Sequence, residues 1–332
     1  TTVNLEEALK LHAWHPKSQL IVLEGALVRL TKTHLKTLMM GRTLLQHAKP
    51  LTFGLKTAGW LESISRSKDR ISDLKQRLLC IQLGGAVGGG NDNITTDVQL
   101  KFAKNLDLHL SFPWQSQRDS LVEFASFLGI LSGSLGKIAK DISLLMQTEI
   151  GEVFEGAAEG KGSSSTMPHK RNPAICETIV ALAKTVRSSV PLAFETLIAE
   201  HERDKIGLQT EREFLARTMA QTDAALAKTV MVTDGLDIRA ENMRTNLDIT
   251  KGLTLSEAVM MALSDKLGRQ KAHEILYRAC MMAFKDDTTM REALMHSLEV
   301  REVLNEDEID VLLDPEAYTG LAARMARDVA AE

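Results

Sequence analysis

The residues of this 332-residue chain best suited to chemistry are concentrated in one segment, Gly160-Lys-Gly-Ser163-Ser164-Ser165-Thr166-Met167-Pro168-His169-Lys170-Arg171-Asn172-Pro173. Glycines open it, two prolines end it, and hydroxyls, a lysine and an asparagine are packed between them. Such a loop offers backbone N–H groups, hydroxyls and a fixed cation, the parts needed to hold a carboxylate and stabilise negative charge as it develops. A flexible linker with a basic tip has the same composition, and composition leaves both readings open. The Gly-Lys pair is not a phosphate-binding P-loop, because only three residues separate Gly156 from Gly160 and Gly162 stands where Ser or Thr must follow the lysine. A second glycine cluster, Gly84-Gly-Ala-Val-Gly-Gly-Gly90, has the freedom for close backbone approach. It matches no GxGxxG and follows no strand, so it reads as a plain loop or tight turn between helices.

Other chemistries fail on inspection. The nine histidines form no HExxH, and neither His12 and His15 nor the three scattered cysteines complete a metal set, so no metal and no cofactor is expected. No GxSxG elbow is present. With 40 Lys+Arg against 44 Asp+Glu the net charge is −4, which gives no electrostatic reason to expect nucleic acid or an anionic membrane surface. The longest uncharged run is 14 residues, Leu78 to Asn91, short of the roughly 20 a membrane helix needs. The opening TTVNLEEALK has neither a basic nor an apolar leader region, and Cys80, Cys176 and Cys280 read as reduced thiols. A cytoplasmic protein is the expectation.

The elements that must position the loop are helical. Prolines stand only at 16, 50, 113, 168, 173, 191 and 315, leaving 123 and 62 residues free of them after Pro191 and Pro50. Helix interiors exclude proline, and a chain with 4% aromatics has little strand propensity. From Ser120 to Val153 apolar residues recur at 121, 124, 128, 131, 135, 138, 142 and 145, a 3-4 spacing that predicts a rod of roughly 50 Å. Gly129, Ser132, Gly133, Ser134 and Gly136 would let neighbouring helices approach closely. Similar patterns run through Leu51–Leu83, Ala174–Glu200 and Glu211–Gly235, and every strand signal is weak. The rod looks too apolar all round for one monomer to cover, which predicts oligomerisation. Thr254-Leu-Ser-Glu257 reads as a capping box ahead of shorter helices. The expectation is an all-α fold, with a central helical-bundle domain over 1–246 and a small C-terminal helical domain over 247–332.

Gly162-Ser-Ser-Ser-Thr-Met-Pro-His-Lys-Arg-Asn-Pro173 resembles the GSSxMPxKxNP signature of the fumarase/aspartase superfamily. GRTLLQHAKPLTFGLKTAG at 41–59, the run from Gln117 to Glu155 and EHERD at 200–204 are similar to further stretches of that family, so the resemblance covers nearly the whole chain. It implies a homotetramer whose active sites are shared between subunits, a small carboxylate substrate and no cofactor. The implied chemistry is proton abstraction beside a carboxylate, giving an aci-carboxylate dianion. That intermediate expels a group from the neighbouring carbon; in cycloisomerases the same machinery adds a carboxylate to an alkene.

Carried over by motif position, Ser164 is the general base, with Ser163 in a place usually held by Gly. A serine hydroxyl is so weak an acid that its alkoxide is usable only where N–H groups and cations favour it and water is excluded. Lys170 and Asn172 match the groups that bind the substrate carboxylate and stabilise the dianion. Thr43, Gln46, His47 and Met167 fall at substrate-contacting positions. Arg118 and Arg203 are either anion partners, since arginine forks suit carboxylates, or members of helix-surface ion pairs.

Adenylosuccinate lyases carry a general-acid His directly after the Thr of GRT, where this chain has Leu44. The 3-carboxymuconate cycloisomerases also lack it, and Leu45-Gln46-His47-Ala48 resembles their pattern, as do the stretches 114–126 and 143–155. His201-Glu-Arg-Asp204 with a later Glu211-Arg212 is more like adenylosuccinate lyase, although Leu208 stands where a phosphate-binding Ser is expected. The resemblance also implies a TSQD or TSSD stretch ahead of GRT. WHPKSQLIVLEGALVRL at 14–30 does not match it, so the amino-terminal domain is expected to be missing from this chain. A cycloisomerase of aromatic catabolism is the leading expectation, a lyase releasing fumarate from an N-substituted aspartate the alternative. A non-catalytic bundle protein is the third, and intact Ser164, Lys170 and Asn172 speak against it.

Overall fold

The computed structural model describes residues 16–156, 167 and 170–331; His12, His15, Ser163, Ser164 and His169 lie outside them. Among the described residues there are thirteen α-helices, one 3-10 turn and two small two-stranded sheets, so the fold is all-α as expected. By packing the chain divides into two units. One comprises residues 1–27, 60–144 and 154–236; the other comprises 28–59, 145–153 and 237–332.

The first unit is built on long helices. α1 (Pro16–Thr33) and α2 (Phe53–Leu78) contribute part of their lengths, joined by α3 (Thr96–Leu106), α4 (Asp119–Leu145), α5 (Ala174–Glu195) and α6 (Lys205–Asp234). The eight apolar positions of the predicted rod are all buried on α4, but the helix stops at Leu145, giving about 40 Å rather than 50. It stops where the apolar series stops. Beyond it the N–H groups of Ile150 and Gly151 both donate to the Gln147 carbonyl, and Gly151 takes a φ of 57° that few other residues tolerate.

α4 is long and apolar enough to cross a membrane by length and composition, which a search for uncharged runs passes over; 56% of its most apolar window is buried inside the protein. The expectation that one chain could not cover this rod is corrected. Of its large apolar side chains only Ile130 is exposed, because α5 packs directly against the small residues. A Cβ on Gly129 would lie 2.8 Å from Val190 Cγ2, and one on Gly136 3.0 Å from Ala183 Cβ. α5 carries Pro191 on its exposed side. α6 buries Thr218, Thr222, Thr229 and Thr233, each donating its hydroxyl to the carbonyl four residues back, so a polar face enters the core already satisfied.

In the second unit a hairpin that no strand signal marked precedes α2, the helix expected over Leu51–Leu83, which begins at Phe53. β1 (Leu38–Thr43) pairs antiparallel with β2 (Gln46–Thr52), Leu38 opposite Thr52 and Thr43 opposite Gln46, with an irregularity between Met40 and Arg42. Gly41 sits at that irregularity, where a Cβ would come 2.7 Å from the Lys49 carbonyl oxygen. After α7 (Ala240–Leu247) the chain makes a 3-10 turn at Leu253–Leu255 and then α8 (Ser256–Leu267), α9 (Arg269–Lys285), α10 (Met290–His296), α11 (Leu298–Arg301), α12 (Glu306–Leu312) and α13 (Ala322–Val329). The capping box expected at Thr254 does not form, since that residue is inside the 3-10 turn and Leu255 precedes α8. Capping boxes form instead at Thr289/Glu292 and Asn305/Glu308. Val259, Leu263, Ile275, Leu294, Val300 and Ile309 centre the apolar core of these short helices.

The α4–α5 contact can be tested by substitution. Gly129→Val should lower stability by about 1–3 kcal/mol through overpacking against Val190. Gly133→Ala, whose new methyl meets only Arg187 Cδ at 3.9 Å, should be neutral or raise the thermal midpoint.

Candidate active site

The hairpin presents Thr43 and Gln46, both exposed, at its open end. The two-residue turn between them is Leu44-Leu45, with φ of 52° and 66°. Turns of this length need left-handed backbone and favour Asn-Gly, because a Cβ there costs about 1–2 kcal/mol per residue. Burial does not offset that cost, since the two side chains are 96% and 78% exposed. Opposite Arg42 on the neighbouring strand stands His47, half-buried, with a buried Nδ1 that has no hydrogen-bond partner. Burial pushes the imidazole below its usual range and the Arg42 charge adds to this, while Glu152 opposes it.

Arg42 itself is fully occupied. Its guanidinium donates to both oxygens of Glu152 at 2.6 and 3.0 Å, and the Glu152 side chain has no solvent exposure. Asn246 donates its amide to Glu152 Oε1 at 2.8 Å and to the Ile150 carbonyl at 2.8 Å, and Asn242 donates to the Gly151 carbonyl at 2.7 Å. α7 thus grips the turn that follows α4, and the hairpin's Arg42 grips the same turn from β1.

The remaining site residues lie in the first unit. Lys170 is exposed and its N–H donates to the Met167 carbonyl at 3.0 Å; Asn172 is half-buried and Met167 exposed. Ser164 lies outside the described residues. Arg203 reaches the Gly85 carbonyl at 3.3 Å and Gln115 Oε1 at 3.5 Å. Gln115 in turn donates to the carbonyls of Ala86 at 3.0 Å and Glu202 at 2.8 Å and accepts from Gln82 at 3.2 Å. The Gly84–Gly90 segment is a loop, as read from sequence, yet it forms one surface with the WQSQRD stretch and the HERD turn. Within HERD, Asp204 is a helix cap, accepting from the N–H groups of Ile206 and Gly207 at the start of α6.

Of the two arginines only Arg203 is open to solvent. Arg118 is buried, donates from Nε and Nη2 to Glu211 at 2.6 and 2.5 Å, and lies 5.4 Å from the Trp114 ring centroid. Its geometry is that of an ion pair between helices, placed in the interior rather than on the surface. Sequence reasoning did not find Glu152, Glu211 or Gln115. Their partners stand 110, 93 and up to 88 positions away, and no local spacing announces them.

Two outcomes are expected here. Replacing Leu44-Leu45 by Asn-Gly should raise the thermal midpoint by relieving left-handed strain. Arg42→Met should cost roughly 3–5 kcal/mol in urea unfolding by leaving the Glu152 charge buried with Asn246 alone, and adding Glu152→Gln should restore part of it.

Residues 13–188 match the family model described as lyase, and residues 252–329 the model described as adenylosuccinate lyase C-terminus. The 3-carboxy-cis,cis-muconate cycloisomerase of Pseudomonas aeruginosa is 43% identical over 303 residues, 90% of this chain and 66% of that protein. An N-acetyl-S-(2-succino)cysteine lyase of Enterococcus italicus is 37% identical over 92% of this chain and 68% of its own length. The crystal structure of 3-carboxy-cis,cis-muconate lactonizing enzyme from Pseudomonas putida superposes with a TM-score of 0.91 at 40% identity, covering 99% of this chain and 73% of that one. The chain therefore spans just under two thirds of the length of the first curated relatives it matches. With the lyase model matched over more than half of the chain and a solved structure 40% identical covered over 73% of its length, the chain belongs to the fumarate lyase (fumarase/aspartase) superfamily.

Proposed function

We propose that this chain is the larger part of a cycloisomerase acting on 3-carboxy-cis,cis-muconate or a closely related tricarboxylate. The observation that carries the reading is the 43% identity to the Pseudomonas aeruginosa cycloisomerase, together with Leu44 at the position where adenylosuccinate lyases carry their acid. A leucine cannot donate a proton.

In this reading one substrate carboxylate oxygen adds to an alkene carbon. A C–O bond forms, the π pair moves into the adjacent carboxylate as an aci-carboxylate dianion, and the α-carbon then takes a proton from the Ser164 hydroxyl. In the reverse direction Ser164 is the base. Lys170 and Asn172 hold the dianion, where a cation and an amide N–H placed in advance lower the barrier most. Arg203, exposed and oriented by Gln115, supplies a further carboxylate contact. Thr43, Gln46, His47 and Met167 are further substrate contacts in this reading, and Arg118 acts by fixing the stretch that carries Gln115. The protein is proposed to be a cytoplasmic homotetramer of aromatic catabolism with sites shared between subunits, its C-terminal helical domain spanning 247–332. The exposed Phe194, Leu197 and Ile198 are apolar surface such an assembly would cover.

A lyase releasing fumarate from an N-substituted aspartate is the second reading. HERD followed by Glu211-Arg212 and the adenylosuccinate lyase C-terminus match over 252–329 favour it.

Ultraviolet loss of 3-carboxymuconate, against loss of adenylosuccinate and release of fumarate, separates the two. Ser164→Ala should lower the turnover by about 100-fold or more. Unchanged turnover in that variant would remove Ser164 as the base.

A further inference from the structure

Lys170 and Asn172 flank Arg171, a residue to which neither the resemblance nor the loop's composition assigns a role. Arg171 sits at a β-bridge position. Its guanidinium lies 4.4 Å from the centroid of the Phe154 ring, and Nη2 donates to the Glu155 carbonyl at 2.8 Å. Neighbouring side chains on extended backbone leave on opposite sides. Arg171 leaves its bridge position toward Phe154, so the backbone that carries Lys170 and Asn172 on either side of it is fixed there.

A second contact holds the same stretch from its far end. α5 begins after Pro173, which has no side chain able to satisfy the helix's free N–H groups. Glu155 satisfies them from a distance in sequence: Oε1 accepts from Cys176 N–H at 2.5 Å and Oε2 from Ile175 N–H at 3.2 Å. A buried carboxylate at a helix N-terminus is further favoured by the helix dipole. The buried Cys176 thiol has its pKa pushed far up, first by burial and then by Glu155, so it stays protonated and does no chemistry of its own. Phe154 and Glu155 therefore anchor both Arg171 and the start of α5, and residues 170–173 are fixed between two attachments.

We propose that Phe154, Glu155 and Arg171 are positioning residues that set how Lys170 and Asn172 face the substrate carboxylate, an inference that rests on the reading of those two as its binders.

Amide hydrogen exchange and steady-state kinetics on Arg171→Met, Arg171→Lys and Glu155→Gln test it. Both Arg171→Met and Glu155→Gln should speed exchange of the amides of residues 170–176 by about tenfold or more, with the amides of α9 unchanged. The same variants should lose roughly 10- to 100-fold in kcat with KM altered less than about threefold, as expected when a bound group is misdirected rather than removed. Arg171→Lys, which keeps the charge over the ring, should recover part of both. Unchanged exchange in both Arg171→Met and Glu155→Gln would overturn the anchoring, and raised exchange with wild-type kinetics would overturn the positioning role. If the unaltered chain turned over none of the substrates, the functional reading would fail, while the exchange rates would still decide the anchoring.

Discussion

A carboxylate with no solvent exposure needs a matching charge and enough hydrogen bonds where it sits, and in the second unit that carboxylate is Glu152. Its two oxygens take the fork of Arg42 and the amide of Asn246, while its own carbonyl accepts the Arg239 N–H at 2.9 Å. Three segments far apart in sequence are thereby joined: the hairpin that presents Thr43 and Gln46, the turn that ends α4, and α7. Such pairs are weak sources of net stability, since desolvation offsets most of the Coulomb attraction. They are strong sources of uniqueness, because any other arrangement would bury a charge unpaired. Register in the hairpin follows from this pair as much as from its strand pairing.

The first unit uses the same device twice, with different results. Arg118 and Glu211 form a buried bidentate pair that fixes the start of α4 against α6, and Trp114 covers the guanidinium. Among the described residues Glu155 takes no cationic partner in its oxygen contacts and is held instead by two helix N–H groups. In each unit a carboxylate from one stretch of GEVFE, Glu152 or Glu155, leaves the sequence neighbourhood to organise a motif. Three residues apart, the two face different partners: Arg42 and Asn246 for Glu152, and the first N–H groups of α5 for Glu155.

Much of the fold was legible because it rests on periodicity. The apolar series on α4 marks the buried face, and the small residues at 129 and 136 mark the contact with α5, while the helix end expected at Val153 falls at Leu145. The hairpin was not legible. Met39, Met40 and Gly41 are all buried, so the alternation of a half-exposed strand is absent, and its turn lacks the Asn-Gly signal. The oligomer argument from α4 failed for a related reason: a helix apolar on most sides is what the centre of a bundle requires, whether its neighbours come from one chain or several. For the site, the family resemblance points to Lys170, Asn172, Thr43 and Gln46 but not to what holds the stretches that carry them. Glu152 and Glu211 act across 110 and 93 positions and Gln115 across 29 to 88, and local sequence carries no trace of such pairings.

The backbone departs from ordinary preferences at places that coincide with the motifs. Among the described residues six non-glycine residues adopt positive φ. Asp107 ends α3, and aspartate tolerates this conformation there as a helix terminator. Leu44 and Leu45 have no such excuse, since bulky side chains are disfavoured in that region, and His201, of a type that enters it more often, adopts it too. Leu44 and Leu45 stand between Thr43 and Gln46, and His201 opens the turn that carries Arg203. Residues held against preference persist where surrounding contacts overdetermine them, and both places have such contacts: the Arg42–Glu152 pair below the hairpin, and Gln115 spanning Ala86, Glu202 and Arg203 below the turn. Stability alone would have selected Asn-Gly at the hairpin tip. Two exposed leucines stand there instead, so the tip of the hairpin carries apolar surface, held in left-handed backbone, directly between Thr43 and Gln46.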